Sequence, residues 1–103
     1  REQEMAEHSI NARSGAVGVT FALAADTVDT VTFDADMRAV RVINDGDASL
    51  YYTCDGTVPT VGGAKCYYVP AGAVSTEQPP TSGATVVKLI ADDAVSVVRV
   101  ERA

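Results

Sequence analysis

Apolar side chains recur at every second position along much of this chain, the spacing of a strand with one face buried. Val17, Val19, Phe21 and Leu23 show it first, and Val31 with Phe33 resumes it after the turn-like Ala25 and Asp26. Residues 39–43 are β-branched and largely alternating, and residues 44–47 follow with an Asp-Gly pair that tolerates positive φ. Residues 49–54 read as the next strand. The run 55–63 holds three glycines and a proline and predicts a loop. Residues 66–69 return as a strand and stop at Pro70, Ala71 and Gly72. A second loop is built on Pro79, Pro80 and Gly83. The last two runs, 85–90 and 95–100, predict a final hairpin across Asp92 and Asp93.

Short strands at these turn spacings, about seven of them, predict an all-β fold, an immunoglobulin-like β-sandwich spanning residues 15–103. Helical periodicity of useful length is absent apart from a weak trace over residues 3–10. Residues 1–14 carry Glu2, Glu4, Glu7 and Arg13 around Met5 and Ile10, the two large apolar residues of the stretch. They read as an N-terminal extended arm without a core of its own, either frayed or ordered on a neighbouring subunit. A length of 103 residues suits one domain, and 47% hydrophobic with 21% charged residues is a globular balance rather than a disordered one.

The formal charge of −6 sets the surface against a phosphate backbone, and Arg38 and Arg41 are flanked by Asp34, Asp36 and Asp45, so nucleic acid is not an expected partner. No stretch reaches the ~20 apolar residues of a membrane span, and residues 1–10 lack the apolar core of a signal sequence, so neither a membrane nor a secretory route is expected.

Candidate chemistry is sparse. A nucleophile and base pair needs a histidine held by a third group, and the one histidine, His8, lies in the arm, where it reads as a solvated side chain. The aspartates at 26, 29, 34, 36, 45, 47, 92 and 93 fall in or beside predicted turns, where Asp bonds its own backbone. Asp45, Asp47, Asp92 and Asp93 become calcium candidates only where their turns converge. Gly62 and Gly63 lack the lysine, serine and helix of a phosphate loop and read as flexibility at a loop tip. No enzyme, cofactor or metal is expected.

Two features remain. Tyr51 and Tyr52 face opposite sides of one strand, as do Tyr67 and Tyr68 on the next, so one of each pair belongs to the surface. Tyr51 and Tyr67 are the candidates for an interaction surface, either for a sugar ring or a subunit or as cross-strand packing alone. Cys54 ends one strand and Cys66 begins the next, with eleven residues between them. A bridge across that hairpin is one reading, worth up to ~3 kcal/mol through restriction of the unfolded chain. Two unbridged thiols, one packed as a small hydrophobe, is the other.

The run Leu50-Tyr51-Tyr52-Thr53-Cys54-Asp55-Gly56-Thr57-Val58-Pro59-Thr60 resembles a signature of immunoglobulin-like modules appended to bacterial glycoside hydrolases and adhesins. Over residues 41–103, about six-tenths of the chain, the sequence is more similar to small virion proteins of tailed bacteriophages, especially those of actinobacteria. The matched residues are Val40 to Asn44, the Tyr-Tyr-Thr strand, Asp55-Gly56, Pro59 to Gly63, Val69-Pro70 and Thr85 to Leu89. Cys54 and Cys66 depart from that pattern. The resemblance implies a structural protein of the virion that decorates the capsid exterior in many copies, with the major capsid protein as partner, self-association, and synthesis in the host bacterial cytoplasm. A tail protein and a carbohydrate-binding or adhesive module are its alternatives.

Overall fold

Strands form where one side chain in two finds an apolar partner, and here two stacked sheets supply one another with that partner. The computed structural model describes residues 7–12, 15–34, 37–80 and 83–102. Among them lie nine strands: β1 (Glu7–Asn11), β2 (Gly18–Leu23), β3 (Val28–Thr32), β4 (Val40–Asn44), β5 (Leu50–Thr53), β6 (Tyr67–Val69), β7 (Val74–Glu77), β8 (Val86–Ile90) and β9 (Val95–Arg102). They make a five-stranded sheet, β1-β3-β8-β5-β6, and a four-stranded sheet, β2-β9-β4-β7. The all-β sandwich expected from the alternation is what forms.

Its connectivity differs from the immunoglobulin order, in which the first two strands pair within one sheet. Here β2 and β3 lie in opposite sheets, β8 is inserted between β3 and β5, and β9 between β2 and β4. Setting β1 aside, the first of eight strands pairs with the last and the second with the seventh, the double Greek-key order of a jelly roll. The expected hairpin over 85–100 is corrected too: β8 and β9 belong to different sheets, and Asp92 and Asp93 turn the chain from one to the other. Val87 and Leu89 bury one face of β8, and Val95, Val98 and Val100 bury one face of β9, so each strand meets the same core from its own side. Of the strands consecutive in sequence, β5 and β6 alone pair, a true hairpin.

Valine and leucine make up most of the core, with Tyr52, Phe33, Met37, Cys54 and Ala91 among them; Val31, Val40, Val42, Leu50, Tyr52 and Val100 are all fully buried. Each such side chain contributes roughly 1.5–3 kcal/mol by leaving water. Two polar bridges fix how the sheets lie on one another. The Asn44 amide, buried at the end of β4, donates from Nδ2 to the carbonyls of Ala48 (2.7 Å) and Val69 (3.1 Å), while its Oδ1 accepts from the Gly46 N–H at 3.1 Å. The Tyr52 hydroxyl on β5 lies 2.8 Å from Ser75 Oγ on β7.

Residues 7–11 of the expected arm form β1, paired in parallel with β3, and the Ala12 N–H extends the ladder to the Thr32 carbonyl at 2.8 Å. Ile10 and Ala12 pack against the core. This stretch is therefore an edge strand of the larger sheet; residues 1–6 and 13–14 of the arm lie outside the described residues. The antiparallel registers place the connections β2 to β3, β4 to β5, β6 to β7 and β8 to β9 at one end of the sandwich. The other four connections lie at the opposite end.

Candidate interaction site

The β5–β6 hairpin gathers the features singled out in the sequence. Its register pairs Leu50 with Val69, Tyr51 with Tyr68 and Tyr52 with Tyr67. Leu50 and Tyr52 point inward, so Tyr67 joins them on the inner face, and Tyr51 and Tyr68 are left outside. The surface pair is thus Tyr51 and Tyr68, correcting the expectation of Tyr51 and Tyr67. Tyr68 is 54% exposed, and its ring centroid lies 5.3 Å from that of Tyr51 at an interplanar angle of 39°. The Tyr68 hydroxyl reaches Ser49 Oγ at 3.1 Å. On the inner face, Tyr52 and Tyr67 stand 5.2 Å apart at 42°. Burial pushes the Tyr52 phenol up to about 12 against the opposing effect of its Ser75 hydrogen bond, and burial also raises Tyr67.

The cysteines follow the same alternation. Cys54 continues the inward series of Leu50 and Tyr52, whereas Cys66 precedes the inward Tyr67 and so belongs to the outer series with Tyr68. Side chains aimed at opposite faces do not meet the geometry of a disulfide. Both thiols are free. Cys54 packs in the core as a small hydrophobe, its thiol pushed up to about 11 by burial and then by the nearby carboxylates of Asp55 and Glu77. The half-buried Cys66 thiol donates to the Thr60 carbonyl at 3.7 Å.

Between the strands, residues 54–66 form a self-bonded loop rather than a slack one. Asp55 Oδ1 accepts from the Thr57 N–H at 3.1 Å and the Thr57 hydroxyl at 2.6 Å, and these bonds hold its carboxyl below the ordinary range. Thr53 Oγ1 donates to the Thr57 carbonyl at 2.6 Å. Gly56 takes φ +86°, a conformation that disfavours any side chain. Further along, the Gly63 N–H bonds the Thr60 carbonyl at 2.9 Å, and a Cβ on Gly63 would run into the Thr60 hydroxyl. The reading of Gly62 and Gly63 as mere flexibility is therefore incomplete, because Gly63 allows a close approach. Pro59 is buried under the loop, while Val58 and Val61 project from it, 55% and 41% exposed. No sequence signal marked these two valines; their exposure is set by the loop's internal bonds.

The outer face of the four-stranded sheet has a different character. Arg41 Nε and Arg99 Nε both reach Glu101, at 3.1 and 2.7 Å, and Arg99 also donates to Thr20 Oγ1 at 3.0 Å. The Arg99 hydrogen bond, with Arg41 beyond it, holds the Glu101 carboxyl below its ordinary value. The calcium candidates share one end of the sandwich, as their turns required, yet among the described residues no three His, Cys, Asp or Glu side chains are placed to hold a metal ion. His8 lies on β1, with its side chain outside the described groups. No helix among the described residues is long and apolar enough to cross a membrane.

No family model and no curated protein matches this chain. Among solved structures, it is similar to the crystal structure of Aeromonas hydrophila PliG, a periplasmic lysozyme inhibitor of g-type lysozyme, with a TM-score of 0.52 and 13% identity over 93% of this chain and 96% of that one. At that identity the likeness is one of fold.

Proposed function

We propose that this protein is a non-enzymatic structural component of a tailed-bacteriophage virion, bound in many copies to the outer surface of the capsid lattice. The observation that carries the reading is the segment 41–103, whose residues resemble small virion proteins. Its most specific run, from Leu50 to Thr60, builds β5 and the first half of the bonded loop. A rigid hairpin that holds its own loop in place suits a contact repeated identically over a lattice, because little order has to be imposed on binding. The fold neighbour is named for inhibiting another protein rather than for catalysis, which accords with a molecule that acts by contact.

A carbohydrate-binding role is the second reading, favoured by the outward-facing pair of the half-buried Tyr51 and the exposed Tyr68. Their 39° tilt gives a stepped surface instead of one flat platform. Peptide mass spectrometry of purified particles, with antibody labelling in the electron microscope, tests the proposal. Many copies on the head are expected. Labelling confined to tails moves the protein within the virion, and absence from particles together with glycan binding overturns the proposal in favour of the second reading.

A further inference from the structure

The outermost strand of a sheet leaves every second residue with an N–H and a C=O that no neighbouring strand bonds, and proteins guard such edges with charge, proline or brevity. Of the edges among the described residues, β1 carries Glu7 and His8. β6 is three residues long and is followed by Pro70, β7 is four long and ends on Glu77, and the two lie against one another where the sheets meet. β2 has no such guard. It is six residues long, with β9 on one side and no described strand on the other. Residues 14–25, which contain it, are the longest run of the chain without a charged side chain. The Val17 carbonyl accepts from the Arg102 N–H at 2.8 Å, so Val17 and Val19 turn their backbone groups to β9. By the alternation of an antiparallel pair, Gly18, Thr20 and Ala22 turn theirs to the open edge.

We propose that the open edge of β2 is a two-fold contact with a second copy of this chain, the two β2 strands pairing antiparallel and joining two four-stranded sheets into one. The strand itself names the occupant. Outward from Thr20 its residues match in pairs: Val19 with Phe21, Gly18 with Ala22 and Val17 with Leu23. In a two-fold contact residue i meets j while j meets i. An axis at Thr20 therefore sets large apolar side chains against large ones on the inner face, where Val19 and Phe21 already pack on the core, and small against small on the outer. Thr20 meets its own copy at the axis, a favourable cross-strand pair. This register puts all three outward-turned residues into hydrogen-bonded pairs; a slip of one reverses the faces, and a slip of two carries one of the three past the strand's end. Charge favours the same occupant. Two molecules of formal −6 repel wherever their carboxylates meet, and β2 brings none to the seam. On β9 beside it, Arg99 and Glu101 are already bonded to one another at 2.7 Å. The contact closes at two copies, because each molecule has one such edge. The inference stands apart from the virion reading, since it is read on the purified chain alone.

The test is sedimentation velocity of the purified chain over a range of concentrations. Wild type passes from one-chain to two-chain mass as concentration rises. Thr20→Pro and Ala22→Pro each weaken the association by about tenfold or more, because a ring replaces an outward donor, and both fold, because proline is tolerated where an edge N–H faces solvent. Disulfide trapping in a Cys66→Ser background reads the register independently. Thr20→Cys bridges two copies, its Cα atoms being about 5.5 Å apart across a hydrogen-bonded pair. Ala22→Cys does not bridge, since Ala22 meets Gly18 and lies four residues from its own copy. A monomer at every concentration, or a dimer that survives both prolines, overturns the proposal. A dimer lost in Tyr51→Ala with Tyr68→Ala but kept in the proline variants moves the two-fold to the other sheet and overturns it too. Bridging through Ala22→Cys without bridging through Thr20→Cys overturns the register, and with it the self-match that names the occupant.

Discussion

One hairpin holds two tyrosine pairs of nearly the same geometry and opposite circumstance. Tyr52 and Tyr67 lie 5.2 Å apart on the inner face, and Tyr51 and Tyr68 lie 5.3 Å apart on the outer. The contact between rings is common to both, so what separates them is what lies beyond the rings. Tyr52 is fully buried beneath the opposite sheet and ties its hydroxyl to Ser75 across the sandwich, whereas Tyr68 meets water and Ser49. The comparison teaches that an aromatic pair is a stability element or a contact surface according to which side of the pleat it occupies, and that the choice turns on a single residue of register.

The strongest way to break the comparison is Tyr52→Ala. It removes the largest fully buried side chain, opens a cavity and leaves Ser75 without its partner, at a cost of about 3–5 kcal/mol in chemical denaturation; Tyr68→Ala costs under ~1 kcal/mol in the same experiment, as exposed substitutions do. Equal losses would mean that burial is not what divides the pairs.

Alkaline unfolding comes next. Cys54 is raised from 9.0 to about 11 and Tyr52 from 10.0 to about 12 in the folded protein. Each neutral group therefore contributes stability that is fully present below its unfolded value and lost as pH rises through the folded one, on the order of 2–3 kcal/mol apiece. The denaturation midpoint should fall from pH 9 upward, and Cys54→Ala should delay the onset toward the Tyr52 window above pH 10.

A finer probe is Tyr52→Phe, which keeps the ring and deletes the bond to Ser75; a loss of about 1 kcal/mol is expected, absent when Ser75→Ala is already in place. The smallest effect concerns the outer face of the other sheet. The Glu101 carboxyl is held low by Arg99 and Arg41, so whatever the trio contributes is present above the ordinary carboxylate value and lost as pH falls through the lowered one. Glu101→Gln should flatten that acid limb by a few tenths of a kcal/mol, since the groups are partly exposed.

How much of this was legible follows from the same alternation. β2, β4, β5, β8 and β9 announce themselves because large apolar side chains recur at their inward positions, as Val40 with Val42, Leu50 with Tyr52 and Val87 with Leu89 do. β7 does the reverse: Val74 faces out, 56% exposed, while Ser75 turns inward to meet Tyr52 and Glu77 shares its side, so the pattern that marks a strand is inverted. Among the described side chains, Ile10 of β1 and Ala12 just beyond it pack on the core, too weak a signal to distinguish an edge strand from a loose arm. Tyr68 was misassigned in favour of Tyr67 because alternation says that neighbours differ but not which one is inside; that depends on the register fixed by the loop. The sandwich follows from local pattern, but the pairing of β2 with β9 and β3 with β8 is a property of the whole chain, which no local window contains.

That pairing has a consequence for how the protein is made. β9 lies between β2 and β4, and β8 between β3 and β5, so neither sheet has its middle until residues 86–102 have been made. A ribosome-bound chain ending before Val86 holds most of the strands but no adjacent pair beyond the β5–β6 hairpin, the β4–β7 ladder and the β1–β3 edge. Folding then waits on these two strands, and contacts distant in sequence close late and slowly. A stop codon placed before Val95 takes β9 from between β2 and β4, and so leaves not a shortened sandwich but a four-stranded sheet without its middle.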